Sequence, residues 1–543
     1  MNIILVAQAV VAACVAAIVL TYVRQYLAQR HLSVIPGPVS PSFATGNLKQ
    51  IYNTGATQFH QELYRLYGRV IRLAGPLGET QLMISDTKAL YTMLIKDQNT
   101  FEEAGQLIMT NLLVFGPGLL STLGSTHKKQ RKLLNPAFST NHMRRLVPMF
   151  QSITMELQNI MRKELAVKGT QEIDMLDWMG KLALELIAQA GLGYTFKALE
   201  GENSDFGQAL KSFIPLASRT QIWRRWLPHL NSVFPARLLR FTATHVPWPD
   251  VQSLVQVADT IYSTSKSAWE EKKEAAARGE EAVVNQLGGG KDIMSIILRA
   301  NSSADEEDKL PDDQLLAQMG TFLFAGTDTT SSALSRILHL LSLNPDVQEK
   351  LRQEVTAAGG EKGELDHDAL NELPILEAIC RETLRLFPPL GFVQRLTLKD
   401  AVLPLGTPVK GLDGRDISEI MVPSGTFIHL NIAGVNRDPE IWGPDADQWK
   451  PERWLRPLPE SVAASHIPGV YANQMTFIGG GRACIGFKFS LLEMKVVLSQ
   501  LLPVFRFAPP KKEIFWRFGV ITTPSVVGST SPKPYLPLTV SLV

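Results

Sequence analysis

Near the carboxyl end of the chain, the run Phe477-Ile478-Gly479-Gly480-Gly481-Arg482-Ala483-Cys484-Ile485-Gly486 sets one cysteine in a loop of glycines. Glycine accepts positive φ and lets one stretch of backbone approach another closely, so such a loop can wrap around a sulfur atom. Backbone N–H groups aimed at that sulfur would disperse negative charge on it. Arg482 adds a cation, and Phe477 an apolar cover that keeps water from a ligated thiolate. The residues that follow, Phe487 to Leu502, have helical spacing, and the positive end of a helix starting there favours an ionised sulfur. The pattern points to a thiolate held against a metal, with Cys484 as the ligand. The alternative is a glycine-rich turn that holds an inert cysteine.

A second constraint is a long apolar run. Pro311-Asp312-Asp313 opens a helix with proline in its first turn and acids at its positive end, and the pattern holds to Leu343, before Asn344-Pro345. Roughly 30 residues make a helix of about 45 Å, enough to traverse a domain. Most residues from Leu315 to Ala325 are apolar, on all sides of the helix, which predicts burial. In its middle, Ala325-Gly326-Thr327-Asp328-Thr329-Thr330 puts polar groups where unsatisfied ones are costly. A threonine there can bond to the carbonyl four residues earlier, which loosens the helix. Elsewhere, Val70-Ile71-Arg72-Leu73 and Gln81-Leu82-Met83-Ile84 flank Gly75-Pro76-Leu77-Gly78 as a strand–turn–strand unit. Ser265 to Ala282 reads as an exposed helix, stopped by Gly288-Gly289-Gly290, and Asn301 to Asp308 as a surface loop. Leu536 to Val540 reads as a final strand. The fold class expected is mainly α with small β-sheets, one large domain over residues 42–543, without internal repeats.

The amino terminus carries a separate signal. Ile3 through Val23 is almost wholly apolar, with Gln8 the only strongly polar side chain before Thr21. Roughly 20 such residues suffice for a helix to cross a bilayer. Met1 and Asn2 stand where a cleaved signal would carry basic residues, and Arg24 and Arg30 follow the run. This order predicts a retained transmembrane anchor over residues 1–24, with the remainder cytosolic. Ile35-Pro36-Gly37-Pro38 and Pro41 cannot continue a helix, so residues 25–41 read as a stiff hinge.

Composition closes off other classes. A formal net charge of +2 on 543 residues gives no global reason to expect nucleic acid. Three cysteines, Cys14, Cys380 and Cys484, are too few for a disulfide framework and form no zinc cluster; Cys380, in a helical pattern, reads as a buried thiol. Gly290-Lys291 does not make a phosphate loop, because Asp292 replaces the needed Ser or Thr and Asn285 the first glycine.

The cysteine loop resembles the haem-binding loop of the cytochrome P450 family, F-x-x-G-x-R-x-C-x-G, matched here by Phe477, Gly480, Arg482, Cys484 and Gly486. The resemblance runs from the anchor to the final strands. Glu382-Thr383-Leu384-Arg385 is similar to the family's E-x-x-R, an i,i+3 pair that alone would be a solvated ion pair worth little. With Pro451-Glu452-Arg453 it implies a buried structural cluster. Ala325 to Thr330 is similar to A-G-x-D-T-T, which implies that Thr329 holds bound dioxygen and a water, that Asp328 connects proton delivery from solvent, and that Gly326 leaves room for oxygen. His127-Lys128-Lys129-Gln130-Arg131 resembles W-x-x-x-R with His127 in the tryptophan's place. Arg131 carries over as a haem-propionate contact, and His127 as a substitute hydrogen-bonding one. Arg395 aligns with a further propionate-binding arginine; with Arg482 this makes three cations for two carboxylates.

What the resemblance implies is a monooxygenase of the P450 fold that carries haem b (iron protoporphyrin IX) on Cys484, the thiolate pushing electron density toward bound oxygen. It implies O2 and NADPH-derived electrons from NADPH–cytochrome P450 reductase, with cytochrome b5 as a further candidate partner, at the endoplasmic reticulum membrane. Asn301-Ser302-Ser303, formally a glycosylation sequon, is then expected to stay unmodified on the cytosolic side. Lys128, Lys129, Lys132 and Lys488 are expected to face an acidic flavoprotein. The segments that correspond to substrate-facing ones, about 101–120, 206–241, 316–329, 389–393 and 521–527, are rich in Leu, Ile, Val, Phe and Trp, implying a hydrophobic small-molecule substrate. The style resembles fungal secondary-metabolism members, with a terpenoid as the first expectation and a fatty acid or aromatic polyketide as the alternative. A haem isomerase or hydroperoxide-cleaving relative, or a haem carrier, would keep Cys484 without needing Asp328 and Thr329.

Overall fold

The structure, a computed structural model, describes residues 20, 23–201, 205–279, 281, 287, 289–359, 365–531 and 533–543. Nearly all of the expected anchor, with Cys14, lies outside them. Among the described residues no helix is long and apolar enough to cross a membrane. The chain is mainly helical with small sheets, as expected, and falls into two compact units. The first comprises the chain up to Ala104 with Phe392–Ala446 and Pro459–Arg482; the second comprises Gly105–Gly391, Asp447–Leu458 and Ala483–Val543.

In the first unit, Val70–Ala74 and Thr80–Ile84 pair antiparallel across the expected turn, with Val70 opposite Ile84. Phe427–Leu430 joins parallel to the second strand, followed by Val393–Thr397 and Phe101–Glu102, both antiparallel. Alternation puts Ile71, Leu73 and Met83 in one core with Ile51 and with Leu63 from the helix Thr57–Tyr67. Each such side chain contributes about 1.5–3 kcal/mol by leaving water. This sheet carries Arg395, opposite Ile428.

In the second unit the long helix spans Asp312–Leu343, 32 residues. Pro311 is its N-cap and not a first-turn residue, while Asp312 and Asp313 occupy the first turn as expected. The helix buries Leu315, Leu323, Leu334, Ile337 and Leu341 and packs against the helix Met175–Ile187.

Two sequence expectations change here. The helix Pro249–Arg278 is not exposed all round: Ser265, Ala268, Trp269, Lys272 and Ala275 are buried along one side. Their three- and four-residue spacing makes a stripe inside the Glu- and Lys-rich run, and Lys272 is tolerated there because its Nζ donates to Asp292 Oδ2 at 2.9 Å. Asn301 lies in the last turn of the helix Ile293–Ser302, not in a loop. Its side chain bonds both the N–H and the carbonyl of Leu310, at 2.7 and 3.1 Å.

The expected structural cluster is present and more extensive than three residues. Glu382 and Arg385, both 0% exposed, pair through two hydrogen bonds of 2.9 and 2.8 Å. Arg453 Nε lies 3.4 Å from Glu382, the Lys450 N–H donates to it at 3.1 Å, and the Trp454 indole at 2.9 Å. A carboxylate can sit this deep only when donors surround it.

Candidate active site

The first unit holds the loop as far as Arg482. Gly480 has φ +73, and a Cβ there would stand 1.9 Å from the Leu94 carbonyl oxygen, so only glycine fits. Ile478 is held at φ +45, a strained value for a β-branched residue. The Gly481 N–H donates to Gln98 Oε1 at 3.0 Å. Phe477 meets Tyr471 edge-on at 5.9 Å. Arg482 is buried and donates to Glu102 at 3.1 Å. Arg395 is 2% exposed. Its Nη1 donates to the Gln394 carbonyl at 2.8 Å and lies 3.8 Å from Glu103, but its Nη2 has no partner. Burial first, and then neighbouring Arg482, pull the Arg395 pKa down against the pull of Glu103 and Glu102. Buried guanidinium hydrogens without an acceptor are costly, and they suit an anionic oxygen.

The second unit holds Cys484 and the helix after it. Gly486 is the N-cap of the helix Phe487–Leu501, and its backbone N–H turns toward the Cys484 sulfur. Arg131, in the helix Gly124–Leu134, donates from Nη1 to the Ala483 carbonyl at 2.5 Å and from Nε to Asn135 Oδ1 at 3.0 Å. His127, one turn earlier, is buried. Burial pushes the Cys484 thiol up, while the Gly486 N–H and the Arg131 charge pull it back. Cys484 is nevertheless exposed at its surface. Cys380 differs: it is fully buried and its pKa is pushed up to about 12.

On the long helix, the Thr327 hydroxyl donates to the Leu323 carbonyl and the Thr329 hydroxyl to the Ala325 carbonyl, each at 2.7 Å. Ala325 is exposed although Leu323 and Thr327 beside it are buried. Asp328 keeps some accessible surface, yet burial pushes its pKa up to about 6, with Lys211 opposing. Lys211 lies 3.1 Å from Asp177, which also pairs with Lys181 at 2.9 Å. Lys211 carries no signal in the sequence, because it and Asp328 stand more than a hundred residues apart. Gly326 has a packing reason: a Cβ there would stand 2.9 Å from Ile187.

Taken one unit at a time, the residues suit haem: in the second unit Cys484 offers an accessible soft donor at a helix amino terminus, and in the first Arg395 offers a buried guanidinium whose Nη2 has no partner. Residues 36–526 match the family model described as Cytochrome P450. The chain is 45% identical over 528 residues to Cytochrome P450 monooxygenase 212 of Postia placenta, covering 96% of each. It is 46% identical over 513 residues to Cytochrome P450 monooxygenase 91 of the same fungus, covering 94% of each. It is 41% identical over 520 residues to Ganoderic acid synthetase CYP5150L8 of Ganoderma lucidum, covering 94% of this chain and 95% of that one. Members of the family bind haem, iron protoporphyrin IX, as cofactor. With a match that runs from the proline hinge to the last β-hairpin and relatives aligned over nearly their whole length, this chain belongs to the cytochrome P450 family of monooxygenases.

Proposed function

We propose that the protein oxidises a hydrophobic small molecule, a terpenoid in the first instance, with Cys484 as the residue that would hold the iron of haem b. The observation that carries this is the setting of Cys484, an accessible thiol with the Gly486 N–H turned to it and Arg131 beside it. When bound, haem supplies the activation of dioxygen and the transfer of one oxygen atom to a C–H bond.

The protein's share is to hold, orient and deliver protons. Asp328, titrating near 6, still carries a proton part of the time at neutral pH, and the charge of Lys211, itself paired with Asp177, acts on it through space. The Thr329 hydroxyl donates to the Ala325 carbonyl, which leaves its oxygen free to accept from a water; rotation about χ1 would turn the same proton outward. Arg395, Arg482, Arg131 and His127 are assigned to the haem propionates, and Phe477 to the cover over the sulfur, on the family resemblance. Electrons would come from NADPH–cytochrome P450 reductase at the endoplasmic reticulum membrane. The relative named for ganoderic acid supports a place in secondary metabolism.

Cys484→Ser tests the core of this reading. Serine oxygen lacks the soft donor character of sulfur, so the reduced, CO-treated variant should lose the thiolate–CO absorption band. An unchanged band would remove Cys484 as the ligand. Product profiling after co-expression with a reductase and terpene scaffolds tests the substrate class; oxidation of fatty acids alone would overturn it.

A further inference from the structure

Three consecutive residues before Ala483 are each gripped by the segment that runs into the strand Phe101–Glu102. The Leu94 carbonyl oxygen lies against Gly480, Gln98 Oε1 accepts from the Gly481 N–H, and Glu102 Oε1 accepts from Arg482 Nε at 3.1 Å. All of these residues belong to the first unit.

The last of the three contacts is between charges. Arg482 Nη2 also stands 3.1 Å from Glu102 Oε1, and the Glu103 N–H donates to the same oxygen at 3.1 Å. Glu102 pairs with Leu396 in the sheet, so its strand runs beside Val393–Thr397, which carries Arg395. Glu103 Oε1 in turn lies 3.8 Å from Arg395 Nη1. None of the four charged side chains is more than 15% exposed, so salt and water screen their fields weakly.

Two cations therefore face two carboxylates of the chain itself, and the group is neutral on its own. The loop pattern by itself suggested arginines in excess of the haem carboxylates. With Glu102 and Glu103 in place, any further carboxylate adds negative charge that Arg395 and Arg482 no longer offset. Net negative charge around an iron centre opposes the uptake of an electron and so lowers the reduction potential.

We propose that Glu102, assisted by Glu103, sets the charge of this cluster: it aims Arg482, offsets its charge, and thereby holds the haem reduction potential low. Glu102 acts through Arg482 and is a positioning residue. The inference rests on the haem monooxygenase reading above.

The test is an anaerobic potentiometric titration of the full-length, haem-loaded protein, followed by haem absorption and independent of turnover. Glu102→Gln keeps the shape and an oxygen acceptor but removes the charge, whereas Glu102→Asp keeps the charge and shortens the reach. At a fixed applied potential, Glu102→Gln should raise the ratio of reduced to oxidised haem by about tenfold, which is about 59 mV for one electron. Glu102→Asp should stay near the parent. Haem transfer to a scavenging apoprotein should slow in Glu102→Gln, because Arg482 then has uncancelled charge to offer the haem carboxylates. A parental potential in Glu102→Gln, an equal shift in Glu102→Asp, or faster haem loss would each reduce Glu102 to a structural brace and overturn the proposal. Should Glu102→Gln fail to fold, Glu103→Gln decides: its ratio should rise by about threefold, and a parental value would overturn the proposal. A haem-loaded parent without the thiolate–CO band would count against Cys484 as the ligand, while the comparison of Gln with Asp would still decide the role of Glu102.

Discussion

Arg131 donates from Nη1 to the carbonyl oxygen of Ala483 at 2.5 Å, which ties its guanidinium to the residue immediately before Cys484. Its charge also lowers the pKa of the sulfur. This is a second duty beside the propionate contact that the W-x-x-x-R resemblance implies. Arg131→Met should keep the helix Gly124–Leu134 and weaken the hold on haem. A hydrogen bond from a charged donor contributes about 1.5–3 kcal/mol, so haem transfer to a scavenging apoprotein should quicken by about tenfold or more. Arg131→Lys, which keeps charge without the fork, should fall between. Equal transfer rates in all three proteins would show that the Ala483 contact does nothing for the ligand loop.

The Asp328 pKa of about 6, raised by burial and opposed by Lys211, predicts a pH dependence with a definite sign. Below that value the carboxyl carries its proton; above it the proton is lost to solvent. Product formed per NADPH should therefore decline as pH rises from about 6 toward 8. Asp328→Asn should be slow and flat across that range, and Lys211→Met should move the inflection upward by removing the opposing charge. Stability follows the same linkage. A carboxyl whose folded pKa exceeds its unfolded value of about 4 contributes fully below about 4, and that contribution is lost as pH rises through about 6. Asp328→Asn should accordingly be no less stable than the parent at pH 8. A parental yield independent of pH would exclude Asp328 from proton delivery.

Glu382, itself fully buried, accepts from Arg385, Arg453, Trp454 and the Lys450 backbone. Glu382→Gln removes the negative charge and leaves two buried guanidinium groups without it. The expected loss is about 3–5 kcal/mol of stability, enough to depress the yield of haem-loaded protein. Denaturant unfolding of whatever folds would measure it. Glu382→Leu with Arg385→Leu should cost less than the sum of the single changes, since the pair leaves together.

The features legible in the sequence were those set by neighbours along the chain. The turn at Gly75 to Gly78, the acids at Asp312 and Asp313, and the glycines before Cys484 act within a few residues, and each was found where its spacing placed it. What could not be read depends on partners far away in sequence. Lys272 reads as one more solvated lysine until Asp292 is brought to it, and Gln318 as an unexplained polar residue until Leu119 is. Gly326, which the resemblance implies leaves room for oxygen, also has a packing reason that only the fold supplies: a Cβ there would stand 2.9 Å from Ile187. The apolar stripe of the helix Pro249–Arg278 was hidden by the density of Glu and Lys around it.

The four lysines expected to meet a reductase are not equivalent. Lys132 pairs with Asp308 at 2.6 Å, and Lys488 donates to Thr140 Oγ1 at 3.0 Å. Lys132 is thus partly neutralised by a surface carboxylate, and Lys488 is tied to a hydroxyl. Lys128 is exposed, Lys129 half-buried, and Asp308 feels Lys129 only through space. Steering by a positive patch should then rest mainly on Lys128 and Lys129. Reversing both to glutamate should slow reductase-driven reduction by about tenfold at low salt. The difference should shrink as ionic strength rises, because exposed charges are screened over about 10 Å at 0.1 M. Lys132→Glu should slow it less, although it also places two acids side by side. Peroxide-driven turnover requires no partner and should remain near the parental rate in the double variant. If peroxide-driven and reductase-driven rates fell together, Lys128 and Lys129 would be supporting haem or the fold, and the surface for the flavoprotein would lie elsewhere.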